Sequence, residues 1–362
     1  MLRLTSGAPV EGQDGAGGRV AIKRLVKEAA FFAFALSGVS KYFRRRNKGK
    51  VVVLMYHGVV KTPLNPFCWT HTAENAFRNQ LVFLKRHYRV VRLSEVLSRV
   101  RAGLPVPENS AVITFDDGFK NNFSVAYPIL RQMKMPATIF LVTGCISRKE
   151  PCWPERLYLW IRCTEEGVVD LADCGVGRYP LYSRRTKEKS YARILSVLKS
   201  LAADEKDRVL RKLEERLGVC SDAVGTEFEV LSWEEVRAMD EEGLIEFGGH
   251  TVSHNILSRM EKRQVEAEII SSCRTIQAHL GRKCGLFAYP NGLNGDFDEE
   301  CKRILERNGL VCGVTSISGL YEPGKDVYEI PRIGVGADMS LWRFQCLVSG
   351  LLFDLKVRGT RK

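Results

Sequence analysis

With 362 residues, 45% of them apolar, the chain is long enough for one large domain or two modest ones, and nothing in it reads as disordered beyond the termini. Its 55 Lys and Arg against 42 Asp and Glu leave a net charge of +13, which favours anionic partners, but no zinc-finger or RNA-binding signature is present and nucleic acid is not expected. Eleven cysteines without regular spacing fit a reducing compartment better than a disulfide scaffold, and Cys145, Cys152, Cys163 and Cys174 lack the spacing of a paired Cys-x-x-Cys zinc site.

Residues 1–20 are rich in Gly and polar groups, have no basic-then-apolar leader, and read as a loose tail. In 21–46, the apolar run 29–36 is flanked by Lys23, Arg24 and Lys27 and by Lys41, Arg44, Arg45 and Arg46. This run is far shorter than the about 20 residues a spanning helix needs. It is either an interfacial helix with basic residues at lipid headgroups or a helix packed on the outside of the domain that follows. The expected division is 1–48 for tail and basic amphipathic helix, and 49–362 for one α/β domain.

That domain opens on Val51 to Met55, a continuous apolar run tipped by Tyr56 and His57, as in a strand buried on both faces. A helix over 72–87, a strand over 89–93 and a helix over 94–102 with Ser94 as N-cap follow. Next come a strand over 111–117, a helix over 128–135 and a strand over 137–143. From 144 to about 231 the rhythm breaks into helices at 153–161 and 187–217, so about 146–230 is a helical insertion. It either overhangs the site or is a plain appendage. Strands resume at 244–247, 285–289, 310–315 and 329–335, with helices at 262–280 and 297–308. Alternating helices and apolar strands predict a closed parallel barrel with its chemistry at the strand C-terminal ends.

Two stretches carry that chemistry. Thr114-Phe115-Asp116-Asp117-Gly118 delivers adjacent carboxylates to a strand end where Gly118 allows a turn. Close carboxylates need a cation or a shared proton, so the pair suggests a metal site or a coupled acid/base site; taken alone, the stretch equally reads as an Asp-Asp-Gly turn with a solvated pair. Gly249-His250-Thr251-Val252-Ser253-His254 follows another strand and spaces two histidines four residues apart, on one side of the chain if it takes a helical turn. Two His and one carboxylate form a usual ligand set for a hydrolytic divalent ion.

In these motifs the chain resembles the polysaccharide deacetylase family, the NodB-homology carbohydrate esterases. Thr114 to Gly118 is similar to its TFDDG motif, His250 to His254 to its H-[ST]-x-x-H motif, and 287–292 to its third motif. The resemblance runs from about residue 51 to 335 and implies a distorted (β/α)7 barrel, carrying the helical insertion and preceded by the basic N-terminal helix. It implies Asp117, His250 and His254 as metal ligands, with Zn²⁺ expected and Co²⁺ or Ni²⁺ sharing the same ligands, and Asp116 as general base. Backbone N–H groups near Asn291 would hold the oxyanion.

The chain departs from the family pattern twice. No histidine follows His279, where the family's usual acid would lie, and Ala288 stands where an arginine would orient the base. His57 is the replacement acid, or merely hydrogen-bonds the aspartates. Arg332 on the last strand orients Asp116, or is an ordinary ion-pair arginine. The activity implied is metal-dependent removal of N-acetyl groups from an amino sugar in a polysaccharide or glycolipid precursor. The alternatives are O-acetyl or other amide hydrolysis at the same site, or a catalytically silent glycan-binding protein. The N-acetylated carbohydrate is the expected partner, and peripheral contact with an anionic membrane is a second. The absent leader and the many cysteines point to the cytoplasm or the inner membrane face.

Overall fold

Val52–Tyr56 pairs in parallel with Ser110–Phe115 on one side and Ile333–Gly334 on the other, so the first and last staves of the sheet are neighbours. The structure, a computed structural model, describes residues 16–64, 68–218 and 226–354. From Ser110–Phe115 the parallel pairing continues through Ala137–Leu141 to Ile245–Gly249. Single parallel bridges then carry it on, from Gly249 to Phe287, from Ala288 to Val314 and from Val314 to Ile330. Ile330 leads directly to Ile333–Gly334, and the ring closes on Val52–Tyr56 as the expected distorted seven-stave barrel.

The strands expected at 285–289, 310–315 and 329–335 are therefore staves held by isolated bridges rather than regular ladders, apart from Ile333–Gly334. Both faces of the regular staves are buried, which is why their sequences are continuously apolar instead of alternating. Val51, Val53, Val112 and Phe140 pack with Val314 and Ile330 in one cluster, while Val52, Leu54, Ile113 and Ile139 pack with the surrounding helices in another. Gly249 is required where the wall meets the helix Lys262–Leu280: a Cβ there would lie 2.7 Å from Ser272 Oγ and 2.8 Å from Cys273 Sγ.

Several local expectations are corrected. The strand read over 89–93 shortens to Arg89–Val90, and the next helix, Leu93–Arg101, starts before Ser94. Ser94 is not its N-cap; its hydroxyl donates to the buried Glu246 instead. Of the tail, residues 1–15 lie outside the described residues, whereas 16–20 already belong to a long helix, Ala16–Leu36, followed by Val39–Arg46.

The insertion has its own core, in which Trp153, Leu157, Trp160, Leu171, Leu198 and Leu213 pack together. Its helices are Trp153–Cys163, Arg184–Ser200 and Ala203–Leu217, so the stretch read over 187–217 is two helices broken at Leu201 and Ala202. An antiparallel hairpin of Val168–Leu171 and Gly177–Pro180 lies between the first two and was not expected. The part of the insertion at 219–225 lies outside the described residues.

Candidate metal centre and catalytic site

The staves Val52–Tyr56, Ser110–Phe115 and Ile245–Gly249 end together, and the residues that follow them form the site. Asp117 leaves its strand with φ 73°, and Thr251, His254 and Asn291 also have positive φ (65°, 58° and 58°). Left-handed backbone is unfavourable for non-glycine residues and clusters where function over-determines the conformation. The His250–His254 segment is thus an irregular loop, not the helical turn inferred from its spacing. The imidazoles still converge because Glu268 pins the loop, accepting from the Val252 and Ser253 N–H groups at 2.8 and 2.9 Å and from Ser253 Oγ at 2.8 Å.

Asp117 Oδ1 lies 3.6 Å from His250 Nε2 and 3.3 Å from His254 Nε2, and it is buried with no hydrogen-bond partner. One ligand atom from each of these residues lies within 4.8 Å of the others, and this is the one metal-competent group among the described residues. Ligands about 2.0–2.1 Å from a tetrahedral ion sit roughly 3.4 Å from one another, so the donor set fits a divalent ion. His250 Nδ1 lies 2.7 Å from the Ala288 carbonyl. A carbonyl only accepts, so the proton is on Nδ1 and the Nε2 lone pair faces Asp117, as a ligand requires.

Asp116 stands in a different environment. Arg332, fully buried, donates through both Nη atoms to the two Asp116 oxygens at 2.7 Å each. Its Nε donates to the Thr315 carbonyl at 2.7 Å and its Nη1 to Thr114 Oγ1 at 3.0 Å. Burial pushes the Asp116 carboxyl up, but Arg332, with His250 and His57, outweighs it and holds the group below the usual carboxylate range. Burial pushes Asp117 up, and Glu155 and Asp116 push it further. The pair therefore shares no proton: one carboxylate is fixed as an ion and the other is left short of a cation.

His57 Nε2 is 4.0 Å from Asp117 Oδ2, too far for a hydrogen bond, and its Nδ1 is buried without a partner. The structural alternative for His57, a hydrogen bond to the aspartates, is not made. Burial pushes its pKa down to about 4, so the ring is neutral at rest. Asn122 Nδ2 holds the His57 carbonyl at 2.7 Å. His279 is occupied elsewhere, stacked on Trp233 at 3.9 Å. Asn291 has its side chain fully engaged, donating to Asp296 at 2.6 Å and accepting from Lys199 Nζ at 2.7 Å. Its backbone N–H has no partner among the described residues.

A family model described as polysaccharide deacetylase matches residues 103–313, more than half of the chain. The chain belongs to the polysaccharide deacetylase family. Members of this family are hydrolases of amide carbon–nitrogen bonds, and this chain is one of them. It is 31% identical over 311 residues to the poly-β-1,6-N-acetyl-D-glucosamine N-deacetylase of Staphylococcus aureus (strain MRSA252), covering 80% of each chain. The fold is similar to that of the Streptococcus pyogenes deacetylase PplD, solved in complex with acetate (TM-score 0.56, 17% identity, 83% of this chain and 98% of that one). It is also similar to IcaB from Ammonifex degensii (TM-score 0.54, 19% identity, 83% and 97%).

Within this deacetylase the insertion is a wall of the site, not an appendage. Trp153 Nε1 donates to the His254 carbonyl at 3.0 Å, Lys206 Nζ donates to Asn255 Oδ1 at 2.5 Å, and Lys199 reaches Asn291. Sequence reading missed Glu155, Lys199 and Glu268. Glu155 is a buried carboxyl whose Oε2 has no partner, and burial pushes its pKa up to about 7. Burial pushes Lys199 down, against the charges of Asp296, Glu155 and Asp117. None of the three sits in a recognisable motif. The one available signal was Glu155 beside Trp153 and Pro154 at the start of a helix, which also suits a plain helix N-terminus.

Proposed function

We propose that the protein is a divalent-metal-dependent N-deacetylase of an N-acetylglucosamine-containing polysaccharide. Asp117, His250 and His254 hold the metal, with Zn²⁺ as the first choice. One observation carries the reading: an Asp–His–His set, whose buried Asp117 Oδ1 has no hydrogen-bond partner, lies beside a second aspartate that a buried arginine keeps ionised. When bound, the ion polarises the amide carbonyl and lowers the pKa of water in the site. The relative from Staphylococcus aureus is named for poly-β-1,6-N-acetyl-D-glucosamine, which supports this choice of sugar.

The chain's own residues supply the rest. Asp116, ionised and oriented by Arg332, takes the proton of the attacking water. His57, 4.0 Å from Asp117 Oδ2 and free of hydrogen bonds, receives the proton that Asp116 took from the water and delivers it to the departing amine, which leaves Asp116 ionised again. The free backbone N–H of Asn291 donates to the oxyanion as charge develops, on a loop tied by Lys199 and Asp296 so that the donor is set in advance.

Purified protein is incubated with β-1,6-linked N-acetylglucosamine oligomers, with and without Zn²⁺ or Co²⁺, and acetate and free amine are measured. Metal-dependent release of both is expected, abolished in Asp116→Asn and reduced by about 10²–10⁴ in His57→Ala. Acetate without free amine from O-acetylated glycans would make the enzyme an O-deacetylase. Unchanged turnover in His57→Ala would remove that residue from the proton path.

A further inference from the structure

We infer that the outward face of the helix Ala16–Leu36, together with the basic helix Val39–Arg46, is a docking surface for an anionic phospholipid bilayer. The inner face of Ala16–Leu36 packs on the helix Leu341–Val348 through Glu28, Phe31 and Ala35, which recur at helical spacing and are half-buried. Phe32 meets the edge of Trp342 at 5.0 Å, and Cys346 Sγ donates to the Phe31 carbonyl at 3.7 Å. The alternative reading of this segment, a helix packed on the domain, therefore accounts for one side of it only.

The other side is apolar and faces solvent. At 3.6 residues per turn, Phe32, Leu25, Leu36, Ala29, Ala33 and Val26 follow one another around the helix in an unbroken arc of roughly 120°. All six are exposed. Leu25, Val26 and Leu36 have 70%, 63% and 65% of their surface in solvent. Four of the twelve large hydrophobic side chains exposed among the described residues, Leu25, Val26, Phe32 and Leu36, lie on this one arc, so it is a patch and not the usual scatter of single exposed residues.

Cations follow the patch on the next helix. Among the described residues Arg46 pairs with Asp354 at 3.3 Å, while Lys41 and Arg45 are exposed and have no ion-pair partner. No described helix is long and apolar enough to cross a membrane, so the patch lies at an interface and does not span it. Apolar side chains on one arc, followed by basic residues on the next helix, match the acyl and headgroup layers of a bilayer. A second copy of the chain fits poorly, because it would set the same cations against each other.

The test is co-sedimentation of the full chain with vesicles of phosphatidylcholine alone or mixed with phosphatidylglycerol, at low and high salt. Binding is expected to the mixed vesicles, at least about tenfold tighter than to neutral ones, and weakened by salt. The variant Leu25→Ser/Val26→Ser/Leu36→Ser should lose binding to both. Lys41→Glu/Arg45→Glu should lose the preference for anionic lipid and keep the residual neutral binding. In both variants the thermal midpoint and the turnover of soluble oligomers should match wild type, since these residues lie outside the site. Absence of sedimentation, equal binding to neutral and anionic vesicles, or wild-type binding by either variant would overturn the inference. So would a dimer in size-exclusion chromatography that the serine variant dissociates, which would give the face to a second copy. Vesicle binding has no catalytic readout, so failure of the deacetylase assay leaves it standing.

Discussion

Arg332 has no solvent-exposed surface, and it spends four hydrogen bonds on Asp116, Thr114 and the Thr315 carbonyl. A planar guanidinium can engage both carboxylate oxygens and two further acceptors at once, whereas an ammonium is a point charge without that fork. Arg332→Lys therefore tests orientation separately from charge. We expect kcat to fall by about 10–10³ with metal content and KM little changed, because Asp116 stays ionised but loses its fixed direction. Arg332→Ala leaves a buried carboxylate unpaired and should cost about 3–5 kcal/mol of stability. Wild-type kcat in the lysine variant would show that Arg332 only balances charge. The residue identities here were legible in the sequence, from the doubled aspartate and the paired histidines. What was not legible is that Asp117, Thr251, His254 and Asn291 adopt left-handed backbone. Those angles follow from contacts such as Glu268 on the loop, eighteen residues after His250, which no local pattern records.

At the scale of elements, sequence periodicity located the regular staves and failed where tertiary contact decides. Val52–Tyr56 and Ser110–Phe115 are uniformly apolar because both faces are covered, and they read correctly. The staves at 287, 314 and 330 hold their places by single bridges, so their extent is set by neighbours and not by their own sequence. The insertion was legible as helical but not in its role, because Trp153, Lys199 and Lys206 reach the metal loop and the Asn291 loop through contacts remote in sequence.

Glu155 shows what this wall costs. Burial raises its pKa from 4.5 to about 7, so the folded protein holds a proton that the unfolded chain has already released. Its contribution is intact below the unfolded value, and stability then falls as pH rises from about 4.5 towards 7. Glu155→Gln removes that titration. Urea midpoints should show the variant gaining about 1–3 kcal/mol on wild type between about pH 5 and about pH 8, with Lys199 limiting the gain. A constant difference between variant and wild type across that range would show that the carboxyl titrates normally.

For the whole molecule, the metal set ties together parts of the ring that the chain visits far apart. Asp117 follows the second stave and His250 and His254 follow the fourth, while Arg332, joined to Asp116, comes from the last. An ion that binds this arrangement and not the unfolded chain stabilises the fold by RT ln(1 + [L]/Kd), about 2.7 kcal/mol at a hundredfold excess over Kd. Removing it also returns Asp117 Oδ1 to a buried place without a partner. We therefore expect a chelator to lower the thermal midpoint by several degrees, and Zn²⁺ to restore it in proportion to the logarithm of its free concentration. Asp117→Asn should abolish this response. Asp116→Asn should keep it, since Asp116 is held by Arg332 and is not one of the proposed ligands. If both variants still responded to Zn²⁺, the ion would be binding elsewhere; if Asp116→Asn lost the response, the division between base and ligand at the doubled aspartate would be wrong.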